Sequence, residues 1–349
     1  MKRAMWYAAT TAVLLYVGLC IALFCYQRSL IYFPQARAFA TPETTQHLRV
    51  ADADLELSVR PRAGARALIY FGGNGEDVSA SLAGFSAAFP EHSLYLMHYR
   101  GFAGSSGSPT EAALHADALA LFDLVYATHA DVVVIGRSLG SGVAVHLASE
   151  RPASRLVLVT PYNSLLELAE QQVSYVPVRW LLQDRFESWR YAPRVSAATD
   201  ILVAGNDEVI PAESSRLLFS RFRDGIASYS VINDVGHNSI ASSSDYLKAL
   251  AHVRADRPPG IPAEDALTRA NAADIAAATR WAGDPQLQRA IQMRLGDGSP
   301  RWSIAAAREQ GDYVLLWIRF PDVDDGGIDL VYTKSQQRIG WEFNGGERG

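Results

Sequence analysis

Cysteine is almost missing from this chain. Cys20 and Cys25 are its only two, and both lie in an apolar N-terminal segment. The rest of the chain can form no disulfide and offers no thiol nucleophile or thiolate metal site. Lysine is nearly as scarce, at Lys2, Lys248 and Lys334 alone, so arginine carries the positive charge. This composition, rich in alanine as well, points to a high-GC bacterial genome. With 32 basic against 37 acidic residues the net charge is −5, and there is no basic footprint for nucleic acid. The eight histidines show no His-Glu-x-x-His or other close ligand spacing. Neither a metal nor a cofactor is expected.

What is present begins with an uncharged run from Met5 to Tyr26, long enough to cross a bilayer as a helix. Trp6, Tyr7 and Tyr26 stand near its ends, where amphipathic aromatics favour the membrane interface. A cleaved signal peptide would have a shorter apolar core, and the small-x-small sites Ala36-Arg37-Ala38 and Ala38-Phe39-Ala40 lie well beyond the run. We therefore expect an uncleaved anchor over residues 1–27. Lys2 and Arg3 precede the uncharged run and Arg28 and Arg37 follow it. That narrow bias puts the N-terminus in the cytoplasm and the rest outside the inner (cytoplasmic) membrane, in the periplasm.

After the anchor, apolar strand-like runs alternate with helical patterns. Strands are expected at Ala67–Phe71, Leu94–Tyr99, Val132–Ile135, Leu156–Val159, Ile201–Ala204 and Tyr229–Ile232, with antiparallel leading strands within Gln46–Arg60. Helices are expected at Ser79–Phe89, Thr110–Thr128 and Ser141–Glu150. Alternation of this kind implies an α/β domain, residues 28–256, with a mostly parallel sheet covered by helices on both faces. Arg257-Pro258-Pro259-Gly260-Ile261-Pro262 reads as a linker, residues 257–262. Beyond it, 263–349 reads as a small α+β module: short helices up to Leu295, then strands at Trp302–Ala306, Tyr313–Phe320, Ile328–Tyr332 and Arg338–Phe343. Asp325-Gly326-Gly327 is a turn signal between two of them. The module carries no catalytic constellation, and packing or a protein partner is its expected role.

The chemistry concentrates at Gly136-Arg137-Ser138-Leu139-Gly140, between the Val132–Ile135 strand and the helix that follows. Strand, Gly-x-Ser-x-Gly turn and helix together describe a nucleophile elbow, with Ser138 at the strained turn. A serine hydroxyl needs a base, and the base needs an orienting carboxylate. In that fold the chain order is serine, acid, histidine. Asp207, in Gly205-Asn206-Asp207-Glu208, and His237, in Val235-Gly236-His237-Asn238, follow the last two strands in that order. Both sit at strand C-termini, where sites gather in open α/β sheets. Glu208 and Asp234 are weaker candidates for the acid. The oxyanion donors expected are the amide of Leu139 and the amide of Asn74, in the Gly-rich loop Phe71-Gly72-Gly73-Asn74-Gly75-Glu76.

Several further segments carry a resemblance: Arg28-Ser29-Leu30-Ile31-Tyr32-Phe33-Pro34, Tyr70 to Gly75, Tyr99-Arg100-Gly101-Phe102-Ala103-Gly104-Ser105-Ser106-Gly107, Thr160-Pro161-Tyr162-Asn163-Ser164-Leu165, and Pro177 to Phe186. From Arg28 to Val253 the chain resembles the membrane-anchored serine hydrolases of the α/β-hydrolase superfamily, related to serine aminopeptidases and lysophospholipases. The resemblance implies the α/β-hydrolase fold, Ser138, Asp207 and His237 as the catalytic triad, and the Gly73-Asn74 region as the oxyanion loop. Members often carry histidine where this chain has Gly72. The resemblance also implies an acyl substrate, small or lipid-like, cleaved as an ester, thioester or amide. A carboxylic ester is the first choice, because no acidic cluster awaits a substrate amine. A catalytically silent, membrane-tethered binding protein is the reading from another class, and an intact triad weighs against it. Leu166–Arg194 is too short for a large cap, and its apolar residues Val178, Trp180, Leu181, Leu182 and Phe186 serve helix packing or line a groove.

Overall fold

The computed structural model describes residues 2–39, 41–243, 245–246, 248–250, 272–295, 301–310, 313–319, 327–334 and 338–344. The chain divides into two compact units, Met1–Arg254 and Ala255–Gly349. The 257–262 linker lies outside the described residues, as do Asp325 and Gly326 of the expected turn.

The first unit is built on eight strands: β1 (Thr45–Val50), β2 (Ala53–Arg60), β3 (Arg66–Phe71), β4 (Ser93–Met97), β5 (Asp131–Arg137), β6 (Arg155–Val159), β7 (Ala198–Ala204) and β8 (Ala227–Ile232). They form one sheet in the order β1-β2-β4-β3-β5-β6-β7-β8. β1 and β2 are antiparallel, β2 runs antiparallel to β4, and every pair from β4 through β8 is parallel. The central strands read as unbroken apolar runs because both faces of a parallel sheet are covered. Alternate side chains of β5 enter opposite cores. Val132 and Val134 join Leu121, Val143 and Leu147 on one face; Val133 and Ile135 join Phe85 and Phe89 on the other.

The helices follow from local signals. α1 (Lys2–Ile31) is a single 30-residue helix, the one described helix long and apolar enough to cross a membrane. α2 (Leu82–Ala88) is shorter than the expected Ser79–Phe89. Asp77 accepts the Ser79 amide at 3.0 Å and winds Val78–Ser81 into a tighter turn first. α3 (Glu111–Tyr126) starts where Thr110 caps the Ala113 amide at 3.1 Å. α4 (Leu139–Glu150) begins two residues before the expected Ser141, directly out of the Ser138 turn. α5 (Leu165–Gln172), α6 (Val178–Leu181) and α7 (Ala212–Phe219) complete the set used below.

The second unit holds α8 (Ala272–Ala282), α9 (Pro285–Leu295) and four strands, β9 (Ser303–Gln310), β10 (Tyr313–Arg319), β11 (Gly327–Thr333) and β12 (Arg338–Asn344). The strands form an antiparallel sheet in the order β12-β11-β10-β9. Leu287 and Ile291 of α9 share a core with Val314, Leu316 and Ile318 of β10.

Candidate active site

β5 ends at Arg137, and the next residue turns sharply. Ser138 has φ 50° and ψ −118°, a left-handed conformation that a non-glycine residue holds only where its surroundings enforce it. The enforcement is visible. The Ser138 amide donates to the Val159 carbonyl of β6 at 2.9 Å, and the Ser138 carbonyl starts α4 by accepting from the Ser141 amide at 2.9 Å. A Cβ on Gly140 would collide with the Phe71 carbonyl, and one on Gly136 would collide with Gly140. The two glycines of the pentapeptide are thus required by close backbone approach, which brings the loop after β3 against the turn.

Ser138, His237 and Asp207 lie in one hydrogen-bonded row. Ser138 Oγ stands 2.9 Å from His237 Nε2, and His237 Nδ1 is 2.9 Å from Asp207 Oδ2. The Asp207 and His237 side chains are almost fully buried. Burial alone would raise the Asp207 carboxyl, but hydrogen bonds from His237 and the Ile210 and Val209 amides outweigh it and hold the pKa below the ordinary value. The competing carboxylates are placed differently. Glu208 accepts the backbone amide of His237 at 3.1 Å, not the imidazole. Asp234 stands in a turn with φ 58°.

The Leu139 amide opens α4 and has no intrahelical acceptor. In the loop after β3 the Gly73 amide is already taken by Glu76 Oε2 at 2.9 Å. Asn74 is pinned by its side chain, which donates to the Ile31 carbonyl at 3.0 Å, and by its own carbonyl, which accepts the Phe33 amide at 2.9 Å. Neither the Asn74 nor the Leu139 amide donates to any described residue. Both residues line a cavity of about 600 Å³ over Ser138, together with Gly73, His237 and Leu165. Two polarised N–H groups beside a hydroxyl–imidazole pair can receive a developing oxyanion. Gly72 is packed closely, because a Cβ there would meet Val78 at 2.5 Å.

Sequence reasoning passed over Glu76 and Arg137. Glu76 accepts from Tyr70 Oη at 2.8 Å, Ser81 Oγ at 3.0 Å, Arg137 Nη1 at 3.0 Å and the Gly73 amide. Arg137 also reaches the His237 carbonyl at 3.2 Å. The pair therefore ties the Gly-rich loop to the histidine loop. No local pattern reveals a contact across 61 residues. Glu76→Gln keeps the shape but leaves Arg137 without its counter-charge, and breaking such an enclosed pair costs about 3 kcal/mol. The expected outcome is a fall in both melting temperature and kcat, with KM little changed, measured by thermal unfolding and ester kinetics. An unaltered kcat would mean that the pair does not position the loops. Among the described residues no group of His, Cys, Asp and Glu is arranged to hold a metal ion.

No protein-family model matches the chain. An uncharacterized protein of Mycobacterium tuberculosis is 30% identical over 246 residues, which cover 63% of this chain and 84% of that protein. The lysophosphatidylserine lipase ABHD12 of Macaca fascicularis is 32% identical over 142 residues, 35% of this chain and 36% of that lipase. Among solved structures, MGS-M2, an alpha/beta hydrolase enzyme from a Medee basin deep-sea metagenome library, superposes with a TM-score of 0.52 at 13% identity, over 63% of this chain and all of that one. Esterase Pf2001 of Pyrococcus furiosus superposes with a TM-score of 0.51 at 12% identity, over 64% and 95%. These superpositions share the fold.

Proposed function

The chain belongs to the alpha/beta hydrolase superfamily, and we propose that it is a serine hydrolase that cleaves carboxylic esters of lipid-like acyl groups through an acyl-enzyme. The observation that supports this most is the unbroken row from Ser138 Oγ through His237 to Asp207 beside two unengaged amides. In this reading Ser138 Oγ attacks the ester carbonyl while His237 Nε2 takes its proton. The tetrahedral oxyanion is held by the Asn74 and Leu139 amides. His237 then gives the proton to the departing alcohol. Water enters, His237 deprotonates it, and attack on the acyl-enzyme frees the carboxylic acid and restores Ser138. Asp207 holds the imidazole tautomer throughout.

A lipid-like acyl group is favoured on two grounds. A similar protein is named a lysophosphatidylserine lipase, and Leu30, Ile31, Leu165 and Leu168 bring apolar surface to the Ser138 cavity. The test is turnover by the full-length protein on matched ester, thioester and amide substrates of one acyl group. Preference for the ester, lost in Ser138→Ala, is expected; hydrolysis of the amide alone would move the assignment to an amidase.

We further assign residues 1–27 as a single-pass anchor in the inner membrane, 28–256 as a periplasmic hydrolase domain, and 263–349 as a module without a part in the chemistry. The orientation rests on Lys2 and Arg3 ahead of the apolar run. A C-terminal fusion to a phosphatase that matures only in the periplasm is expected to be active. Activity of a cytoplasm-only reporter in its place would reverse the topology.

A further inference from the structure

A second cavity, of about 510 Å³, lies beside the one over Ser138. Its walls come from α1 on one side and from α5, α6 and their connection on the other. Leu23 and Leu30 face it from α1, and Ala169, Val176 and Leu181 face it from the opposite wall. Leu30, Ile31, Leu165, Leu168 and Val209 line both cavities, so the two adjoin across these side chains. Of the three polar side chains in the wall, Gln27, Gln172 and Glu208, the first and last are already engaged. The Gln27 amide donates to the Leu181 carbonyl at 3.1 Å and accepts from the Gln183 amide at 2.7 Å, and Glu208 holds the His237 amide. The remaining twelve lining residues are apolar, so the wall offers mainly hydrocarbon contact. From Leu23 to Ile31 it follows α1 for about 12 Å.

The helix is built into this site and does not merely precede the domain. Arg28 pairs with Asp184 at 3.1 Å, and Tyr32 Oη donates to the same carboxylate at 3.1 Å. Cys20 and Leu23 pack against the Leu166, Val176 and Val178 cluster. Farther up, Tyr16 Oη donates to the Tyr175 carbonyl at 3.1 Å. The arm that meets α1 there carries Tyr175, 67% exposed, and Trp180, 83% exposed. Those are the two residue types that favour the membrane interface. An arm fastened to α1 from Tyr16 to Gln27, with both aromatics outward, lies against the apolar run itself and so shares its lipid surroundings.

We propose that the cavity walled by α1, α5 and α6 is the acyl-chain site, so that the N-terminal helix itself forms one wall of the substrate pocket and the hydrocarbon chain of a membrane lipid ester enters alongside it. This rests on the ester-hydrolase reading above, with the carbonyl carbon placed at Ser138 and the chain running toward Leu23. The occupant is a hydrocarbon chain because the cavity adjoins the one over the serine, is lined mostly by apolar side chains, and lies against a helix suited to lipid.

The test uses the full chain in phosphatidylcholine vesicles and fills the cavity from either wall, with Ala169→Trp from α5 and Leu23→Trp from α1. Turnover of p-nitrophenyl decanoate is compared with that of p-nitrophenyl butyrate, and a fluorophosphonate probe reports whether Ser138 is still assembled. In a variant that takes the probe, the decanoate-to-butyrate ratio is expected to fall at least about tenfold, the effect of about two methylenes losing their burial. A ratio equal to wild type in both probe-reactive variants overturns the proposal. So does a fall with Ala169→Trp but not with Leu23→Trp, which would leave α1 outside the site. If the wild-type protein cleaves neither ester, the hydrolase reading fails, and the cavity is judged separately by binding of a polyene fatty acid. Binding lost in both variants keeps the acyl-chain assignment; equal binding in all three proteins rejects it.

Discussion

Replacing Ser138 by alanine is expected to remove ester hydrolysis almost completely, by about a millionfold in kcat, as deletion of the nucleophile does in other serine hydrolases. The size follows from the chemistry. Without Oγ no acyl-enzyme can form, and what remains is whatever the Asn74 and Leu139 amides contribute to attack by water. The fold is expected to survive. Alanine has to hold the same left-handed conformation as Ser138, and the backbone bonds to Val159 and Ser141 do not involve the hydroxyl. Kinetics on p-nitrophenyl butyrate, with circular dichroism to confirm the fold, checks this. A folded Ser138→Ala protein with wild-type turnover would exclude Ser138 as the nucleophile.

Asp207→Asn is expected to lower kcat by about 10⁴ while leaving the structure in place. An asparagine amide can turn its N–H toward His237 Nδ1, and the imidazole then carries its proton on Nε2, where Ser138 Oγ needs an acceptor. The carboxylate's charge, which favours the imidazolium formed during attack, is lost as well. Glu208→Gln is expected to have a much smaller effect, because Glu208 meets only the His237 backbone amide. If Asp207→Asn were near wild type and Glu208→Gln inactive, the acid would have to be reassigned.

Much of this arrangement could be read from the chain because its signals are local. Val132–Ile135 is a β-branched run and Gly136–Gly140 a close-packed turn, and together they define β5, Ser138 and α4 within a residue or two. Asp207 and His237 follow β7 and β8, so strand alternation alone brings both to the end of the sheet that holds Ser138. What escaped depends on distant contacts. The Glu76–Arg137 pair joins residues whose sequence neighbours were already assigned other roles, and neither side chain shows a pattern of its own. The shortening of α2 reflects competition by Asp77 for the Ser79 amide, which helical periodicity does not register. The sequence predicts that the apolar residues Val178, Trp180, Leu181, Leu182 and Phe186 of Leu166–Arg194 pack or line a groove. Val178, Leu181 and Leu182 do face the second cavity, Phe186 is buried in the main core, and Trp180 points outward. That division is set by α1, whose contacts lie about 150 residues away in sequence.

The central claim is that Ser138 is an activated nucleophile. Its most direct measurement is the site of covalent modification when the wild-type protein is treated with a fluorophosphonate and the peptides are resolved by mass spectrometry. We expect a single adduct on the peptide carrying Gly136-Arg137-Ser138-Leu139-Gly140, its formation slowed by orders of magnitude in Asp207→Asn. An adduct on another serine, or a folded protein that takes no label under conditions that modify an unrelated serine esterase, would contradict it.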